Sequence, residues 1–223
     1  MSAPARAVSL ATPANDNGAP KTAPVLLPYQ IRWLEDRSRV KLMEKSRRIG
    51  ATWATAAEAV LLASSGQSDV WYVCYNEEST KEFIRDCKRW MQWLGFAAGQ
   101  LGQQIGDQNA GGAFSIAFPS GKRITGLSSP RNLRGKQGLV IIDEAAFHLD
   151  LPELLKAAFA LLMWGGQVWI LSTHNGADNA FARLCDEVRD GKRDYSLHRV
   201  TILDALGEGL YQRICERLGQ PWN

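Results

Sequence analysis

Past residue 24, the spacing of apolar residues switches repeatedly between the period of strands and the period of helices. Val40 to Glu44 predicts a short strand, and Thr52 to Ser64 an alanine-rich helix that opens at the end of a tight loop. Asp69 to Tyr75 is a β-rich run, followed by a helix from about Ser79 to Leu94 that carries Trp90 and Trp93. Phe114 to Phe118 and Arg123 to Leu127 flank Pro119-Ser120-Gly121, a turn signal that predicts a hairpin. The apolar run Leu139 to Ile142 predicts a strand, with a helix near Pro152 to Trp164 and a strand over Gln167 to Ser172 after it. A helix near Asn179 to Asp190, a strand near Leu197 to Ile202 and a helix near Glu208 to Leu218 complete the pattern. Strands that alternate with helices and are apolar throughout indicate an α/β fold with a mainly parallel sheet.

Composition narrows the class. With 223 residues, 45% hydrophobic and 22% charged, the chain can bury one substantial core and carry appendages. Met1 to Pro24, rich in Ala, Pro, Asn and Thr, cannot bury enough surface to offset its ordering entropy. The expected division is a disordered leader over 1–24, a core domain over 25–203 and a C-terminal helix or linker over 204–223. No apolar run reaches the roughly 18 residues of a membrane span, and the N-terminus lacks the basic start and apolar block of a secretory signal. Cys74, Cys87, Cys185 and Cys215 form no C-x-x-C pair and have no histidine at metal-ligand spacing, so they read as reduced, packed thiols.

The net charge of +3 is modest, so nucleic-acid binding must be argued from where basic residues lie. Gln108 to Ile142 holds no acidic residue but includes Lys122, Arg123, Arg131, Arg134 and Lys136. A second basic run, Arg37, Arg39, Lys41, Lys45, Arg47 and Arg48, is diluted by Glu35, Asp36 and Glu44. A solvated charged face explains any one of these equally well.

The chemistry concentrates in two motifs. Lys45-Ser46-Arg47-Arg48-Ile49-Gly50-Ala51-Thr52 is a phosphate loop with its lysine displaced: Gly50 and Thr52 fit G-x-x-x-x-G-K-[ST], Ala51 stands where lysine belongs, and Lys45 where the first glycine belongs. A strand that ends in such a loop and opens a helix aims backbone N–H groups and the positive helix end at one spot, which binds phosphate. Ser46, Arg48, Ile49, Gly50, Ala51 and Thr52 would then line an ATP site, with Thr52 on a Mg2+ ion and the long Lys45 side chain reaching the same phosphate oxygens. An ordinary strand-turn-helix connection is the alternative. Leu139-Val140-Ile141-Ile142-Asp143-Glu144 puts two carboxylates at the tip of a buried strand, where ligands of open α/β sheets sit. Asp143 could hold the metal and Glu144 deprotonate the attacking water; a helix N-cap explains the same pair but not its combination with the loop.

Three further features suit that site. Ser172-Thr173-His174, after another apolar strand, could sense the γ-phosphate and pass on its loss, or be a plain strand exit. Tyr29-Gln30 could stack on and hydrogen-bond an adenine, or pack beside a helix start. Arg134 and Lys136, just before the acidic strand, could contact phosphate or DNA, or be surface residues.

Together these residues resemble the large terminase subunits of tailed phages, in particular the Mu-like branch: Tyr29-Gln30, the loop Lys45 to Thr52, Val140 to Phe147, and Ser172 to Gly176 occur in that family's order. The resemblance covers roughly Leu27 to the C-terminus. It implies a RecA-like, additional-strand P-loop ATPase with a mainly parallel central sheet flanked by helices. It further implies an ATP- and Mg2+-dependent motor that moves double-stranded DNA, with Lys45 replacing the loop lysine, Arg47 or Arg48 as an arginine finger, Ser172 to His174 coupling hydrolysis to movement, and Tyr29 and Gln30 on the adenine. The partners it implies are the portal protein, the small terminase subunit and further copies of the chain in a ring, a pentamer, docked at the prohead in the cytoplasm of the infected bacterium. The family's usual nuclease domain is not expected here, because Asp186, Glu187, Asp190 and Asp194 are spaced as a solvated helix face. A helicase-like ATPase shares the motif order, and a non-hydrolysing DNA- or portal-binding remnant is the reading from another class.

Overall fold

A computed structural model describes residues 26–95, 114–127, 133 and 135–222; the expected leader and Arg134 lie outside the described residues. Among the described residues, seven strands form one sheet: β1 (Val40–Lys45), β2 (Val70–Val73), β3 (Phe114–Ala117), β4 (Arg123–Leu127), β5 (Leu139–Ile142), β6 (Gln167–Ser172) and β7 (Ser196–Val200), in the order β3-β4-β2-β5-β6-β1-β7. All neighbours run parallel except β3, which pairs antiparallel with β4 as the hairpin signal predicts. β6 inserts between β1 and β5, pairing with both.

Among the described residues the α-helices are α1 (Pro28–Glu35), α2 (Ala51–Ser64), α3 (Glu77–Trp93), α4 (Leu151–Phe159), α5 (Ala180–Arg189), α6 (Ile202–Gly207) and α7 (Leu210–Leu218). Because successive strand residues point to opposite faces, each strand feeds two cores. Met43, Ile141 and Leu171 join α1, α2 and α3 on one face, whereas Leu42, Ile142 and Ile170 join α4 and α5 on the other. The resulting α/β/α sandwich explains why the central strands are apolar on both sides.

Three boundaries depart from the sequence expectation, each for a local reason. The helix expected to run to Trp164 tightens into a 3-10 turn over Ala160–Trp164. The strand expected to reach Ile202 stops at Val200, because Thr201 and Asp204 exchange side chains as a capping box and start α6. Gly209, at φ +100°, then separates α6 from α7. Ala205 and Leu210 are buried in the same core as α1, and Arg32 pairs with Glu208 at 2.6 Å, so the residues after 203 pack on the sheet domain.

One buried charge organises the back of the sheet. Lys41 is fully buried, with its ammonium 4.2 and 4.0 Å from the ring centres of Trp33 and Trp169. It donates to the Trp33 carbonyl at 2.7 Å and to Glu58 at 2.9 Å, fastening α1 and α2 to β1 behind the loop.

Candidate active site

The loop between β1 and α2 is held from below. The Tyr29 hydroxyl donates to the Ile49 carbonyl, and Gln30 Nε2 donates to the carbonyls of Ile49 and Gly50 at 3.2 and 3.0 Å. Gln30 Oε1 accepts from the Leu27 N–H at 2.8 Å, so the amide is committed at both ends. From the other side, the Ser46 N–H donates to the Val200 carbonyl of β7. Gly50 adopts φ +74°, and a Cβ there would stand 2.6 Å from Gln30 Nε2; the glycine is required by conformation and by space alike. Arg48 is a non-glycine residue at φ +58°, a turn conformation that side chains adopt sparingly.

The acidic strand meets this loop directly. Thr52 Oγ1 donates to Asp143 Oδ2 at 2.7 Å, and Tyr72, from the neighbouring β2, donates to the same oxygen at 3.0 Å. Asp143 Oδ1 accepts from the Glu144 N–H at 2.8 Å. Lys45 Nζ lies 3.0 Å from Glu144 Oε1 and 3.8 Å from Asp143 Oδ1. Burial pushes the Lys45 ammonium down, but Asp143 and Glu144 outweigh it and hold its pKa above the ordinary value. Burial and the Asp143 carboxylate push the Tyr72 phenol well up, so it stays a donor. Glu144 itself sits at φ +51°, a strained backbone that turns the chain sharply at the strand tip.

The third segment is wired to the first two. Ser172 Oγ accepts from the Ala146 N–H at 3.0 Å and donates to the Thr173 carbonyl at 2.7 Å, tying the end of β6 to the turn just past Glu144. Among the described residues, no group pairs with the buried Thr173 hydroxyl. His174 pairs with Glu44, the residue before Lys45, and Arg189 of α5 binds the second oxygen of Glu44. Burial pushes the Glu44 carboxyl up, yet the hydrogen bonds from His174 and Arg189 hold it below the usual range.

A cleft of about 300 Å³ lies over this constellation and is lined by the loop, by Tyr72, Asp143 and Glu144, and by the α3 side chains Ser79, Glu82 and Asp86. Lys45, Ser46, Arg48, Ile49, Gly50, Ala51 and Thr52 all line it, as the sequence suggested. Other expected residues are not brought there, Ser172, Thr173 and His174 among them. Tyr29 and Gln30 are buried beneath the loop and are absent from the cleft lining, and Arg47 is exposed outside it. Lys136 lies at the opposite end of β5 from Asp143, with its ammonium 4.7 Å from the Trp71 ring centre, so it does not reach a phosphate in this cleft. Tyr72, Glu44 and Trp53 were not singled out from sequence; a tyrosine in an apolar strand, a glutamate in a charged run and a tryptophan in a helix carry no motif.

Oxygen donors with a lysine partner fit a magnesium-triphosphate. Among the described residues, no group of three or more His, Cys, Asp or Glu side chains could hold a metal unaided, so a cation at Thr52 and Asp143 needs phosphate and water oxygens to fill its shell. Among the same residues, no helix is long and apolar enough to cross a membrane.

A family model described as the terminase large subunit, T4likevirus-type, N-terminal, matches residues 42–218. The Mu-like prophage FluMu protein gp28 of Haemophilus influenzae is 49% identical over 205 residues, covering 89% of this chain and 40% of that protein. The probable terminase large subunit gp28 of Escherichia phage Mu is 46% identical over 219 residues, covering 92% of this chain and 39% of that protein. The chain thus spans about 40% of the length of the curated relatives it matches. Among solved structures, the large terminase of a thermophilic bacteriophage in complex with ADP superposes with a TM-score of 0.62 at 17% identity, over 85% of this chain and 49% of that one. The large terminase ATPase domain of a Thermus phage gives 0.56 at 20% identity, over 86% and 88%. At these identities the likeness speaks for the fold, and the fold agrees with the family match. The chain therefore belongs to the terminase large-subunit family, matching its N-terminal region, and is a homologue of the Mu-like gp28 proteins.

Proposed function

We propose that this chain is the ATP-hydrolysing motor domain that drives double-stranded DNA into the viral prohead. The observation that carries the reading is the closure of loop and acidic strand into one constellation, Lys45 on Glu144 and Thr52 on Asp143. A strand-turn-helix connection without chemistry gives no reason for a buried lysine and two carboxylates to converge on a cleft.

In this reading the loop N–H groups and Lys45 bind the β- and γ-phosphates, and Glu144 orients and deprotonates the attacking water. Thr52 and Asp143 would hold Mg2+, which neutralises charge on the phosphate oxygens when bound. Lys45 supplies the fixed positive charge that Ala51 cannot, from a buried side chain, where such charge acts more strongly than in open water. Arg48, at the cleft, is better placed than Arg47 to touch phosphate from within the subunit, and the exposed Arg47 suits contact with a neighbouring copy. Loss of the γ-phosphate would be felt at the unpaired Thr173 hydroxyl, and Ser172 and His174 would carry the change to the Glu144 turn and to β1. DNA contact through basic side chains would be sequence-independent and salt-sensitive.

A solved relative was crystallised with ADP, which supports the same ligand here. The working state in this reading is a homo-oligomeric ring, a pentamer, at the portal in the host cytoplasm, fed by the small terminase subunit.

The test is DNA-stimulated phosphate release by the wild-type chain and by Glu144→Gln, with portal and small subunit present. Turnover in the wild type that falls by a hundredfold or so in the variant is the expected result. No turnover in the wild type under those conditions would sink the motor reading in favour of a binding remnant. Strand separation by the chain alone would favour the helicase-like reading.

A further inference from the structure

The parallel sheet gathers at one end two basic runs that lie far apart in the sequence. Arg37 and Arg39 lead into β1, Lys122 and Arg123 into β4, and Lys136 stands just before β5. Because β1, β2, β4, β5 and β6 all run the same way, these residues share the end of the sheet opposite Asp143, Glu144 and the cleft. We propose that this end is the surface on which the chain holds double-stranded DNA, with Arg39, Arg123 and Lys136 on its phosphates. The inference rests on the DNA-moving reading above and adds which surface meets the DNA.

The row is stiff because backbone hydrogen bonds tie the strand entries to one another. The Leu139 N–H donates to the Asp69 carbonyl at 2.8 Å, the Gln167 N–H to the Gly138 carbonyl at 3.0 Å, and the Val168 N–H to the Arg39 carbonyl at 2.8 Å. A Cβ on Gly138 would stand 2.4 Å from the Asp69 carbonyl oxygen, so the entries to β2 and β5 are in close contact. Neighbouring strands lie about 4.8 Å apart and β4 is four steps from β1, so the row extends over roughly 19 Å, the length of five or six base-pair steps.

Most of its charge is uncancelled. Arg39 is exposed and spends its N–H groups on the Leu162 and Gly166 carbonyls, which are neutral. Lys136 is exposed with its ammonium 4.7 Å from the Trp71 ring centre, and the Trp71 indole N–H donates to the Gln137 carbonyl at 2.8 Å, which fixes the loop that carries the lysine. Arg123 is exposed, and it is its backbone N–H that donates to Asp69 at 2.9 Å. The same carboxylate lies 3.4 Å from Lys122 Nζ. Arg37 is 3.7 Å from Glu58, but Glu58 is buried against Lys41. Glu35 and Asp36 stand at the β1 end of the row, and Asp36 is engaged by His198 at 2.7 Å. A stiff row of exposed cations suits a partner with regularly repeated negative charge, and contacts of this kind carry no base preference.

The experiment is fluorescence anisotropy of a labelled duplex of arbitrary sequence titrated with the full chain at several salt concentrations, beside DNA-free phosphate release. At about 0.1 M salt, one phosphate contact contributes about eightfold in affinity and about 0.9 in the slope of log affinity against log salt. Lys136→Gln and Arg123→Gln should each lose about that much and keep wild-type DNA-free phosphate release and melting temperature, since β5 alone sets about 13 Å between this end and Asp143. Asp69→Asn should tighten binding, a direction that misfolding does not mimic. Arg183→Gln, the same change of charge near the start of α5 beyond the cleft end of β6, should leave binding close to wild type. Binding unchanged in both row variants, or weakened as much by Arg183→Gln, overturns the proposal. So does a wild type that binds no duplex, or an Asp69→Asn that binds no better than wild type. If wild type releases no phosphate yet the row variants lose DNA affinity as stated, the motor reading fails and this surface stands.

Discussion

Lys45 Nζ is 3.0 Å from Glu144 Oε1, so the lysine at the mouth of the loop and the carboxylate beyond β5 are each other's partner across 99 residues of sequence. In the proposed reaction a triphosphate on Lys45 would compete with Glu144 for it, which would tie phosphate arrival to release of the carboxylate proposed to handle water. Lys45→Ala should therefore lower phosphate release by about a hundredfold or more, the scale of losing a preorganised charge in phosphoryl transfer. The fold should survive, because Asp143 keeps Thr52 and Tyr72 as donors. Steady-state release beside a thermal melt checks both; full activity in the variant would show that Lys45 does not stand in for the missing lysine at position 51.

Tyr72 gives a quieter test of the same site. Its hydroxyl is fully buried and bonds Asp143 Oδ2, the oxygen that also accepts from Thr52. Its ring stacks on Phe83 with centres 3.8 Å apart, so Tyr72→Phe removes the hydroxyl and keeps the packing. A hydrogen bond to a charged acceptor contributes about 1.5–3 kcal/mol. The expected result is a roughly tenfold rise in the Mg2+ concentration needed for half-maximal activity, together with a melting temperature lowered by several degrees. An unchanged magnesium titration would show that Asp143 is held well enough by its other donors.

The central strands and the motifs at their tips were legible because their signals are local. An apolar run such as Leu139 to Ile142 followed by Asp143-Glu144 needs no distant partner to be read. Lys45 and Thr52 were legible because the phosphate loop fixes spacing along the chain. What the sequence hid were residues whose meaning comes from partners far away. Lys41 looked like one more charge in a basic run, yet its neighbours Trp33, Glu58 and Trp169 enclose it. Gln30 looked free to meet a ligand, and Lys136 looked close to the acidic motif although β5 carries it to the far end. The order of strands, with β6 between β1 and β5, was likewise invisible to periodicity. The capping box at Thr201 and Asp204 was local and readable, and would have ended the last strand correctly.

Gly50 and Gln30 should behave as a coupled pair. Gly50→Ala places a Cβ 2.6 Å from Gln30 Nε2 and forces a side chain into the left-handed region, which alone costs about 1 kcal/mol or more. Gln30→Ala frees the space but strips the Ile49 and Gly50 carbonyls of a donor. The double variant should then be less destabilised than the sum of the two singles, since one clash and one set of hydrogen bonds are each removed only once. Denaturant unfolding of the four proteins measures this directly. Strict additivity would mean that Gln30 moves aside without consequence and does not hold the loop.

The buried pair Lys41 and Glu58 predicts a pH dependence of stability with a definite sign. Burial pushes the Glu58 carboxyl up to about 7, although Lys41 and Arg37 pull it down. The same burial pushes the Lys41 ammonium below its ordinary value despite the attraction of Glu58. A carboxyl raised in the folded state binds its proton more tightly there than in the unfolded chain, so its stabilising contribution is complete below about 4.5 and is lost as pH rises toward 7. A shift of this size corresponds to something on the order of 3 kcal/mol. Glu44 acts with the opposite sign and in a lower window, because its carboxyl is held below the usual range. Glu58→Gln removes the titrating group while leaving Lys41 a carbonyl to bond. At pH 5 the Glu58 carboxyl and the amide in its place are both neutral, and any deficit of the variant relative to wild type should shrink, or turn into an advantage, toward pH 7.5. Chemical denaturation across that range reads the difference; a deficit that grows with pH would mean that the pair is stabilised chiefly as ions and that the carboxyl is not raised.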